Sequence, residues 1–577
     1  MQGFCISYNS KKEWHCRCDN ATLNHIEREA CTGQLFVRQI TSGKFMSDKA
    51  WFDSPLYFCA TEGVLLNKQE LLSEGQSIGD WMVHEYEKHG ETFFNVLRGS
   101  FCGLFYDKRL SKLIVFNDHI GDKMLFWTSD GDSFYACSNL MELTRQVNAG
   151  ELDELGMFNM LTYGFSPTHN TIIKGIKRLA AGRYLRICDN KVEELVYHRF
   201  SNTHNSLSEI ENIEKMDSLF RNAVRRVLER NAEDGLRNVF PLSAGLDSRM
   251  INIVARELTD ANIENFTYSQ TGHYDATIPE RIAQNLGNKW HFRALDGGDY
   301  LKRLDKTVEL TQMQISYAGA AQMLDTMLFA DFQTAGVVPT GVGGDDIVSS
   351  PINKTRKGYS MGECGLGTTL FDCHKAIFPK DFSTWYANRN IYYLYVRNFE
   401  CHGLGAPLML QTATESYSPF MDVDFLEFVL TIPEKMRQQY RLYDKWVLTK
   451  YPGAAAWQHN NYKIGQRPLE CYLFHRHIPA KDVPKRIVWY ICRHLHIHNF
   501  YTIKKGESMN PIDSWLEENK SLREFYDDYY RNNIHLLDGH QTVKNAAEML
   551  YNSKEWQNQI LVMTLLSSVR QTRLIPS

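Results

Sequence analysis

The chain has 577 residues, enough for several domains, and 43% of them are hydrophobic and 23% charged, as in an ordinary globular protein. With 64 basic against 68 acidic residues the net charge is −4, so the charge balance gives no reason to expect nucleic acid or a membrane surface as a partner. No apolar run approaches the roughly 20 residues that cross a bilayer, and the N-terminal stretch lacks the apolar core of a secretory signal. These features favour a cytoplasmic protein.

The 13 cysteines are odd in number, scattered along the chain and without a CxxC pair. A disulfide scaffold or a zinc site would show a regular spacing of cysteines. We therefore expect buried, reduced thiols.

Residues 1–200 are rich in short segments that are typical of strands, separated by Gly and Asp turns. Such segments lie at 112–118, 124–138 and 183–187, where β-branched and aromatic residues are enriched. The sequence SDGD, between two apolar stretches, predicts a hairpin turn. A helical pattern at 153–162 interrupts the strands. The first domain, 1–200, is therefore predicted to contain both sheets and helices.

The pattern changes from about residue 205, after the polar tract NTHNSLSE. A long segment with apolar residues at helical spacing comes first, and strands then alternate with helices. Such alternation predicts an α/β domain whose parallel sheet is flanked by helices, here assigned to residues 205–500. From about residue 365 the pattern is mainly helical, and residues 501–577 are predicted to be a helical C-terminal extension.

The stretch VFPLSAGLDSRM, at 239–250, ends an apolar run with small residues and then opens a predicted helix. Beyond the carboxyl end of such a strand, backbone N–H groups and the helix N-terminus attract an anion. Ser243 and Ser248 can donate to phosphate oxygens, whereas Asp247 would repel them unless a divalent cation lay between. The stretch is typical of a pyrophosphate-binding loop that lacks the Walker lysine. An ordinary tight turn with an acidic residue near a helix start also fits it.

A second stretch, PTGVGGDDIVSS at 339–350, also leads from an apolar strand into a glycine-rich loop that contains carboxylates. Asp345 in this loop can supply the second anionic ligand of the cation that Asp247 requires. The second loop therefore favours the phosphate-binding interpretation of the first.

Together the two loops resemble the ATP-pyrophosphatase module, or PP-loop, of the asparagine synthetase family of the glutamine-dependent class B type. Ser243, Gly245, Asp247 and Ser248 match the SGGxDS loop of that family, and the second loop matches its SGxGxDE-like loop at Gly341, Gly343 and Asp345. The resemblance implies ATP and Mg²⁺ as cofactors, with Asp247 and Asp345 holding the metal against the ATP phosphates. It implies that ATP and pyrophosphate are bound by Leu242, Ser243, Ala244, Gly245, Asp247, Ser248, Thr340 and Gly341.

Other segments extend the resemblance over nearly the full chain. Glu415, Pro419, Phe420 and Asp422 match a family segment in which an acidic residue precedes a PF-x-D turn. Lys463, which follows DKWVL, matches the lysine that closes the family's site and neutralises charge on the phosphates during the reaction. A solvated surface charge is the other interpretation of this single lysine.

The fold class implied by the resemblance has two parts. Residues 1–200 would form an α+β glutamine-amidotransferase-like domain with stacked sheets of the Ntn type. Residues 205–500 would form an α/β, Rossmann-like PP-loop synthetase domain, followed by the helical C-terminal region.

The sequence departs from the family pattern at two important positions. Glutamine hydrolysis in this family uses an N-terminal cysteine whose free amino group is the base, but residue 2 is Gln2 and the nearest thiol is Cys5. Cys5 lies in the strand-like run GFCISY, which favours a buried core thiol. Val342 stands where the ammonia-using members have a Glu that handles the proton of the attacking amine. We therefore expect a glutaminase-like domain that has lost glutamine hydrolysis.

The sequence is thus identified as a divergent, asparagine-synthetase-like carbon–nitrogen ligase. The resemblance implies that it adenylates a carboxylate, with aspartate as the family default, and releases AMP and pyrophosphate before an amide forms. The partners would be a small-molecule or peptide carboxylate and an amine or ammonia, with a homodimer left open. Three alternatives remain: a cyclase of the β-lactam synthetase or lasso-peptide type, an enzyme linked to exopolysaccharide synthesis, and a nucleotide-binding scaffold without catalysis.

Overall fold

The fold is described from a computed structural model. The structure describes residues 2–10, 14, 25–349, 385–399, 404–459, 462–464, 470–473, 476–480, 483–484, 487–488, 491 and 508–573.

The first 200 residues contain two six-stranded sheets in which all pairings are antiparallel. The first sheet has the strand order β10-β8-β9-β1-β3-β2, and the second has the order β12-β11-β7-β6-β5-β4. The twelve strands are β1 Gly3–Tyr8, β2 His25–Thr32, β3 Leu35–Ser42, β4 Trp51–Asp53, β5 Tyr57–Leu65, β6 Gly99–Asp107, β7 Lys112–Asn117, β8 Phe126–Ser129, β9 Phe134–Cys137, β10 Lys177–Arg178, β11 Arg183–Cys188 and β12 Lys191–Val196.

Apolar side chains from both sheets meet in one core, to which β1 contributes Phe4 and Ile6 and the second sheet contributes Leu104 and Val115. Four helices accompany the sheets: α1 Lys68–Leu71, α2 Ile78–His89, α3 Leu140–Val147 and α4 Glu154–Tyr163. Helix α2 covers the outer face of the second sheet, where Trp81 packs in a cluster with Phe105. The sheets are therefore stacked with helices outside, as expected from the sequence.

The middle of the chain contains a parallel sheet with the strand order β13-β14-β15. A parallel bridge between Arg237 and Ala335 connects it to the parallel pair β16 and β17. The bounds are β13 Asn238–Pro241, β14 Ile263–Ser269, β15 Lys289–Ala294, β16 Val338–Pro339 and β17 Ser416–Tyr417. The order of the strands in space brings the carboxyl end of β13 near that of β16, which are the two strands that precede the glycine-rich loops.

The helices of this part are α5 Glu209–Glu233, α6 Leu246–Leu258, α7 Tyr274–Leu286, α8 Leu304–Leu310, α9 Tyr317–Phe329, α10 Gly344–Ser349, α11 Arg389–Leu394, α12 Gly405–Leu410, α13 Val423–Thr431, α14 Glu434–Arg437, α15 Arg441–Lys450 and α16 Pro452–Ala455. Helix α5 begins at a capping box in which Ser208 and Glu211 satisfy each other's backbone N–H groups. One face of α5 is buried, as its helical apolar spacing predicts.

The C-terminal region contains α17 Ile512–Glu518, α18 Lys520–Asn533, α19 Gln541–Asn552 and α20 Trp556–Arg573. These helices pack on the middle of the chain: Ser567 Oγ donates to Asp305 of α8 at 2.7 Å, and Tyr317 N at the start of α9 donates to Thr564 Oγ1 at 3.4 Å. In the described part of the chain no helix combines the length and the apolarity needed to cross a membrane.

Two short hairpins interrupt the region that the sequence predicts as mainly helical. They are formed by β18 Gln458–His459 with β19 Tyr462–Lys463, and by β20 Glu470–Leu473 with β21 Arg476–Pro479. These segments are too short to show either an apolar helical spacing or a strand alternation, so the sequence pattern gave no signal for them.

Buried charges join the first sheets to the synthetase half of the chain. Asp48 is fully buried and accepts from Arg230 Nε of α5 at 2.7 Å, and Lys68 Nζ lies 3.0 Å from its other oxygen. Lys123 Nζ lies 2.6 Å from the buried Glu415, just before β17. Since an unpaired buried charge is costly, these contacts hold the two halves in one arrangement.

We expect Arg230→Met to destabilise the whole protein, because it leaves the buried Asp48 carboxylate with Lys68 as its one basic partner among the described residues. The expected loss is about 3 kcal/mol, the lower end of what breaking a buried ion pair costs. The measurement is the apparent thermal midpoint by circular dichroism, and Arg225→Met, an exposed position on the same helix, is the matched control. Equal midpoints for the two variants would contradict the prediction.

Candidate functional site

The candidate site lies where β13 and β16 end. Strand β13 ends at Pro241 and α6 begins at Leu246, so residues 242–245 form the first loop. Strand β16 ends at Pro339 and α10 begins at Gly344, so residues 340–343 form the second loop. Both loops therefore connect the carboxyl end of a parallel strand to a helix, which is the position where α/β sheets bind ligands.

The first loop is held by its own hydroxyl groups. Ser248 Oγ accepts from Ser243 N at 2.9 Å and lies 2.9 Å from Ser243 Oγ, which in turn accepts from Gly245 N at 3.1 Å. Outside the loop, Ala244 N donates to Asp275 Oδ1 of α7 at 3.1 Å. The neighbouring Leu242 is buried, and its N–H donates to Phe266 O of β14 at 3.0 Å. The loop is thus fixed in shape before any ligand binds.

Glycines allow the second loop to touch the first. A Cβ atom at Gly341 would lie 2.9 Å from Asp247 Cβ and 3.0 Å from Ser248 N, and one at Gly344 would lie 2.5 Å from the Asp247 carboxyl group. No other residue type fits such approaches without displacing the first loop. The backbone of Thr340 is held by β17, because its N–H donates to Tyr417 O at 2.8 Å.

Asp247 and Asp345 meet at this contact. The backbone N–H of Asp345 donates to Asp247 Oδ2 at 3.3 Å, while Tyr443 OH donates to Asp247 Oδ1 at 2.7 Å. Tyr440 OH donates to Asp345 Oδ2 at 3.2 Å. Burial and the nearby Asp345 carboxylate raise the pKa of Asp247 well above its usual range. In the described part of the chain no Lys or Arg side chain forms an ion pair with either carboxylate.

These two carboxylates fit a divalent cation. Their mutual repulsion is relieved when a cation lies between them, and Mg²⁺ is usually held by one or two carboxylates together with phosphate oxygens and water. Within the ranges that the structure describes, no group of three His, Cys, Asp or Glu side chains is arranged as a complete metal site. Two protein carboxylates suit a metal that arrives with a nucleotide, whose phosphate oxygens would supply further ligands.

Lys463 is the last residue of β19 and pairs with Gln458 across the hairpin. Its side chain lies outside the described part of the structure, so its distance to the loops stays a prediction. The chain that enters this hairpin is tied to the first loop by the buried Arg249, which donates to Ala244 O at 2.9 Å, Ala454 O at 2.8 Å and Trp457 O at 3.1 Å. Burial lowers the pKa of Arg249 to about 10. Arg249 thus positions the start of the segment that contains Lys463.

Residues 65–198 match the family model described as a glutamine amidotransferase domain, and residues 215–357 match the one described as asparagine synthase. The glutamine-hydrolyzing asparagine synthetase 1 of Bacillus subtilis is 22% identical over 273 residues, 44% of this chain and 42% of that relative. The nodule asparagine synthetase of Pisum sativum is 25% identical over 443 residues, 70% of this chain and 64% of that relative. A solved structure of the Bacillus subtilis glutamine phosphoribosylpyrophosphate amidotransferase covers 46% of this chain and 77% of that chain, with 12% identity and a TM-score of 0.23.

The chain is similar to the asparagine synthetase family in sequence and in the order of its two matched domains. It combines a glutamine amidotransferase-like domain with an asparagine synthase domain, in that order. The alignments span 42% and 34% of the asparagine synthetases 1 and 3 of Bacillus subtilis, less than half of either protein.

The family segment with the PF-x-D turn joins the two halves of the chain. Glu415 is buried against Lys123 of the first domain, as described above. Asp422 caps α13 by accepting from Asp424 N at 3.1 Å, and it lies 3.3 Å from Arg226 of α5. These positions of the asparagine synthetase resemblance thus have a structural role in this chain.

Three side chains of the site were not predicted from the sequence: Tyr440, Tyr443 and Arg249. The two tyrosines lie three residues apart at the start of α15, in the stretch that precedes DKWVL, so a common helix face was the available signal. Arg249 follows the SGGxDS-like loop directly, but an arginine on a predicted helix gives no hint that it is fully buried.

We expect Asp247→Asn to raise the thermal midpoint of the ligand-free protein. Asn can keep both hydrogen bonds, with its oxygen accepting from Asp345 N and its amide donating to Tyr443 OH, while the charge that burial and Asp345 disfavour is removed. A gain of 1 kcal/mol corresponds to about 2–4 °C in a domain of this size. The measurement is differential scanning fluorimetry without nucleotide or Mg²⁺.

The same variant should lose the rise in midpoint that ATP with Mg²⁺ gives the unaltered protein, because ligand binding to the folded state stabilises it. Asp346→Asn, one residue beyond Asp345, is the matched control. A lower ligand-free midpoint in Asp247→Asn than in the control would show that the carboxylate stabilises the fold.

Proposed function

We propose that this protein is an ATP-dependent amide-forming ligase that adenylates a carboxylate and releases AMP and pyrophosphate. The observation that carries the proposal is the contact between the two strand-end loops, which brings Asp247 and Asp345 together beside the serines of the first loop. The family supports the class of reaction, since an asparagine synthase domain matches residues 215–357.

In the proposed reaction each loop has its own task. Ser243, Ala244, Gly245 and Ser248 bind the β- and γ-phosphates of ATP, and the buried Leu242 with Thr340 and Gly341 lines the nucleoside side. Mg²⁺, held by Asp247 and Asp345, would neutralise phosphate charge. The substrate carboxylate attacks the α-phosphorus, and the bond to pyrophosphate breaks. Lys463 is proposed to offset the charge that develops between the α-phosphate and the departing pyrophosphate.

The N-terminal domain is proposed to keep its fold without hydrolysing glutamine. Cys5 lies inside β1, paired in register with Arg38 on one side and Cys137 on the other. Cys5 is 4% exposed, and its Sγ lies 3.5 Å from Cys137 Sγ. A nucleophile of this type needs an accessible thiolate and a neighbouring base, and an amide nitrogen within a strand cannot accept a proton. The nitrogen donor is therefore proposed to be free ammonia or another amine, with aspartate as the first carboxylate to test.

We expect Asp247→Asn and Asp345→Asn each to lower pyrophosphate release at least about 100-fold, because loss of a metal carboxylate removes several kcal/mol of charge stabilisation. The assay measures pyrophosphate from ATP with Mg²⁺, an ammonium salt and a panel of carboxylates that starts with L-aspartate. Asp346→Asn should stay close to the unaltered protein. Near-normal rates in both aspartate variants would remove the site assignment, and a protein that binds ATP but never releases pyrophosphate would be a scaffold.

We expect the intact protein to produce no glutamate from glutamine, with or without ATP and Mg²⁺. The reason is the placement of Cys5 within a paired strand. Glutamate is measured by an enzyme-coupled assay, and mass spectrometry of the N-terminus establishes which residue begins the assayed chain. Glutamate production by a chain that begins at Met1 or Gln2 would contradict the proposal.

A further inference from the structure

A small cavity lies between the amidotransferase-like domain and the second glycine-rich loop. Ile120 and Asp122 line it from the first domain, and Thr340 and Val342 line it from the loop. Its volume is about 20 Å³. A single water molecule needs about 10–15 Å³, so the cavity admits one molecule of that size. Ammonia is such a molecule, whereas a peptide amine is far too large.

The cavity is next to the phosphate loops. Thr340 and Val342 flank Gly341, where an added Cβ atom would meet Asp247 and Ser248. Ser418, which also lines the cavity, donates from its Oγ to Val342 O at 2.7 Å. The cavity and the site of the proposed acyl-adenylate therefore share the residues of this loop.

Asp122 is the single carboxylate among the described residues that line the cavity. Its Oδ2 accepts from Ser100 Oγ at 2.5 Å and from Gln411 Nε2 at 3.0 Å. Its Oδ1 accepts no hydrogen bond from the described part of the protein, which leaves this oxygen for a molecule in the cavity. Burial and the neighbouring Asp118 carboxylate raise the pKa of Asp122 to about 7.

Amide formation from ammonium requires a group that can accept a proton. Near neutral pH most free ammonia is present as ammonium, whose nitrogen has no lone pair until one proton is removed. Val342 cannot accept a proton, and burial keeps the pKa of the Tyr417 hydroxyl well above its usual range. Other charged groups around Asp122 are already engaged: Lys123 pairs with Glu415, and Asp118 accepts four backbone N–H groups.

We propose that Asp122 binds ammonium in this cavity and removes the proton that prevents its attack. This inference rests on the proposed ligase function. The Asp122 carboxylate takes one proton from NH₄⁺, which leaves a neutral carboxylic acid and NH₃. The lone pair of NH₃ forms the C–N bond to the acyl carbon, the bond from that carbon to AMP breaks, and the second proton leaves with AMP. Asp122 then returns its proton to solvent.

The test compares two nitrogen nucleophiles on Asp122→Asn, which keeps the shape of the side chain. Ammonium must lose a proton, whereas hydroxylamine is mostly uncharged near neutral pH and needs no such step. The carboxylate substrate in these assays is the one that gives the fastest pyrophosphate release with the unaltered protein. We expect ammonium-dependent AMP formation to fall by about 10²–10⁴-fold, the usual contribution of a general base, and hydroxylamine-dependent formation to stay unchanged. ATP–pyrophosphate exchange, which precedes the nitrogen step, should also stay unchanged.

Two further variants separate chemistry from structure. Gln411→Met disturbs the same interface but keeps the carboxylate, so its ratio of ammonium to hydroxylamine activity should match that of the unaltered protein. Val342→Glu combined with Asp122→Asn places a carboxylate at another position in the lining of the cavity and should restore the ammonium reaction.

Each remaining outcome counts against a definite claim. Equal losses with both nucleophiles, or no loss with ammonium, would overturn the role of Asp122 while the ligase function stands. If the unaltered protein releases no pyrophosphate with any carboxylate, the proposed function itself is wrong and the role of Asp122 falls with it.

Discussion

The closeness of two carboxylates, Asp247 and Asp345, is the constraint on which the site depends. Like charges repel strongly where water is partly excluded, and tyrosine hydroxyls rather than basic side chains hold both groups in place. The glycines at 341 and 344 exist at this contact because any larger residue would separate the two loops. The fold therefore stores an unfavourable arrangement that the proposed metal–nucleotide complex would relieve, which is a common trade of stability for function.

Much of the fold and part of the site could be predicted from local sequence features. Enrichment in β-branched and aromatic residues, together with turn signals, indicated strands before residue 200, and apolar residues at helical spacing indicated α5. The two loops were recognisable as a pair, because a second glycine-rich loop with a carboxylate after a strand favours the phosphate-binding interpretation of the first. Tyr440, Tyr443, Arg249 and Asp122 were not recognisable, since each acts through a contact with a residue distant in the chain, and burial of a polar side chain leaves no periodic signal.

The segment that matches the family's PF-x-D turn lies at the interface between the two halves of the chain and has a structural role there. Its acidic residues, Glu415 and Asp422, face basic partners in other parts of the chain, Lys123 and Arg226, rather than the two glycine-rich loops. Residues that the resemblance would assign to an active site can therefore have a purely structural role in this chain. The distinction matters because a substitution at Glu415 would lower activity by disturbing the fold and not by removing a chemical group.

Lys44 shows how strongly the second domain depends on contacts with the first. From the first domain its ammonium group donates to three carbonyl oxygens of the second, those of Phe332, Ala335 and Ala413. Together with the buried pair of Lys123 and Glu415, this makes removal of the N-terminal domain a change that exposes several unpaired polar groups at once. Each of these groups would need a new partner in a chain that lacked the N-terminal domain. The domain thus completes the packing of the second domain, whatever its own chemistry.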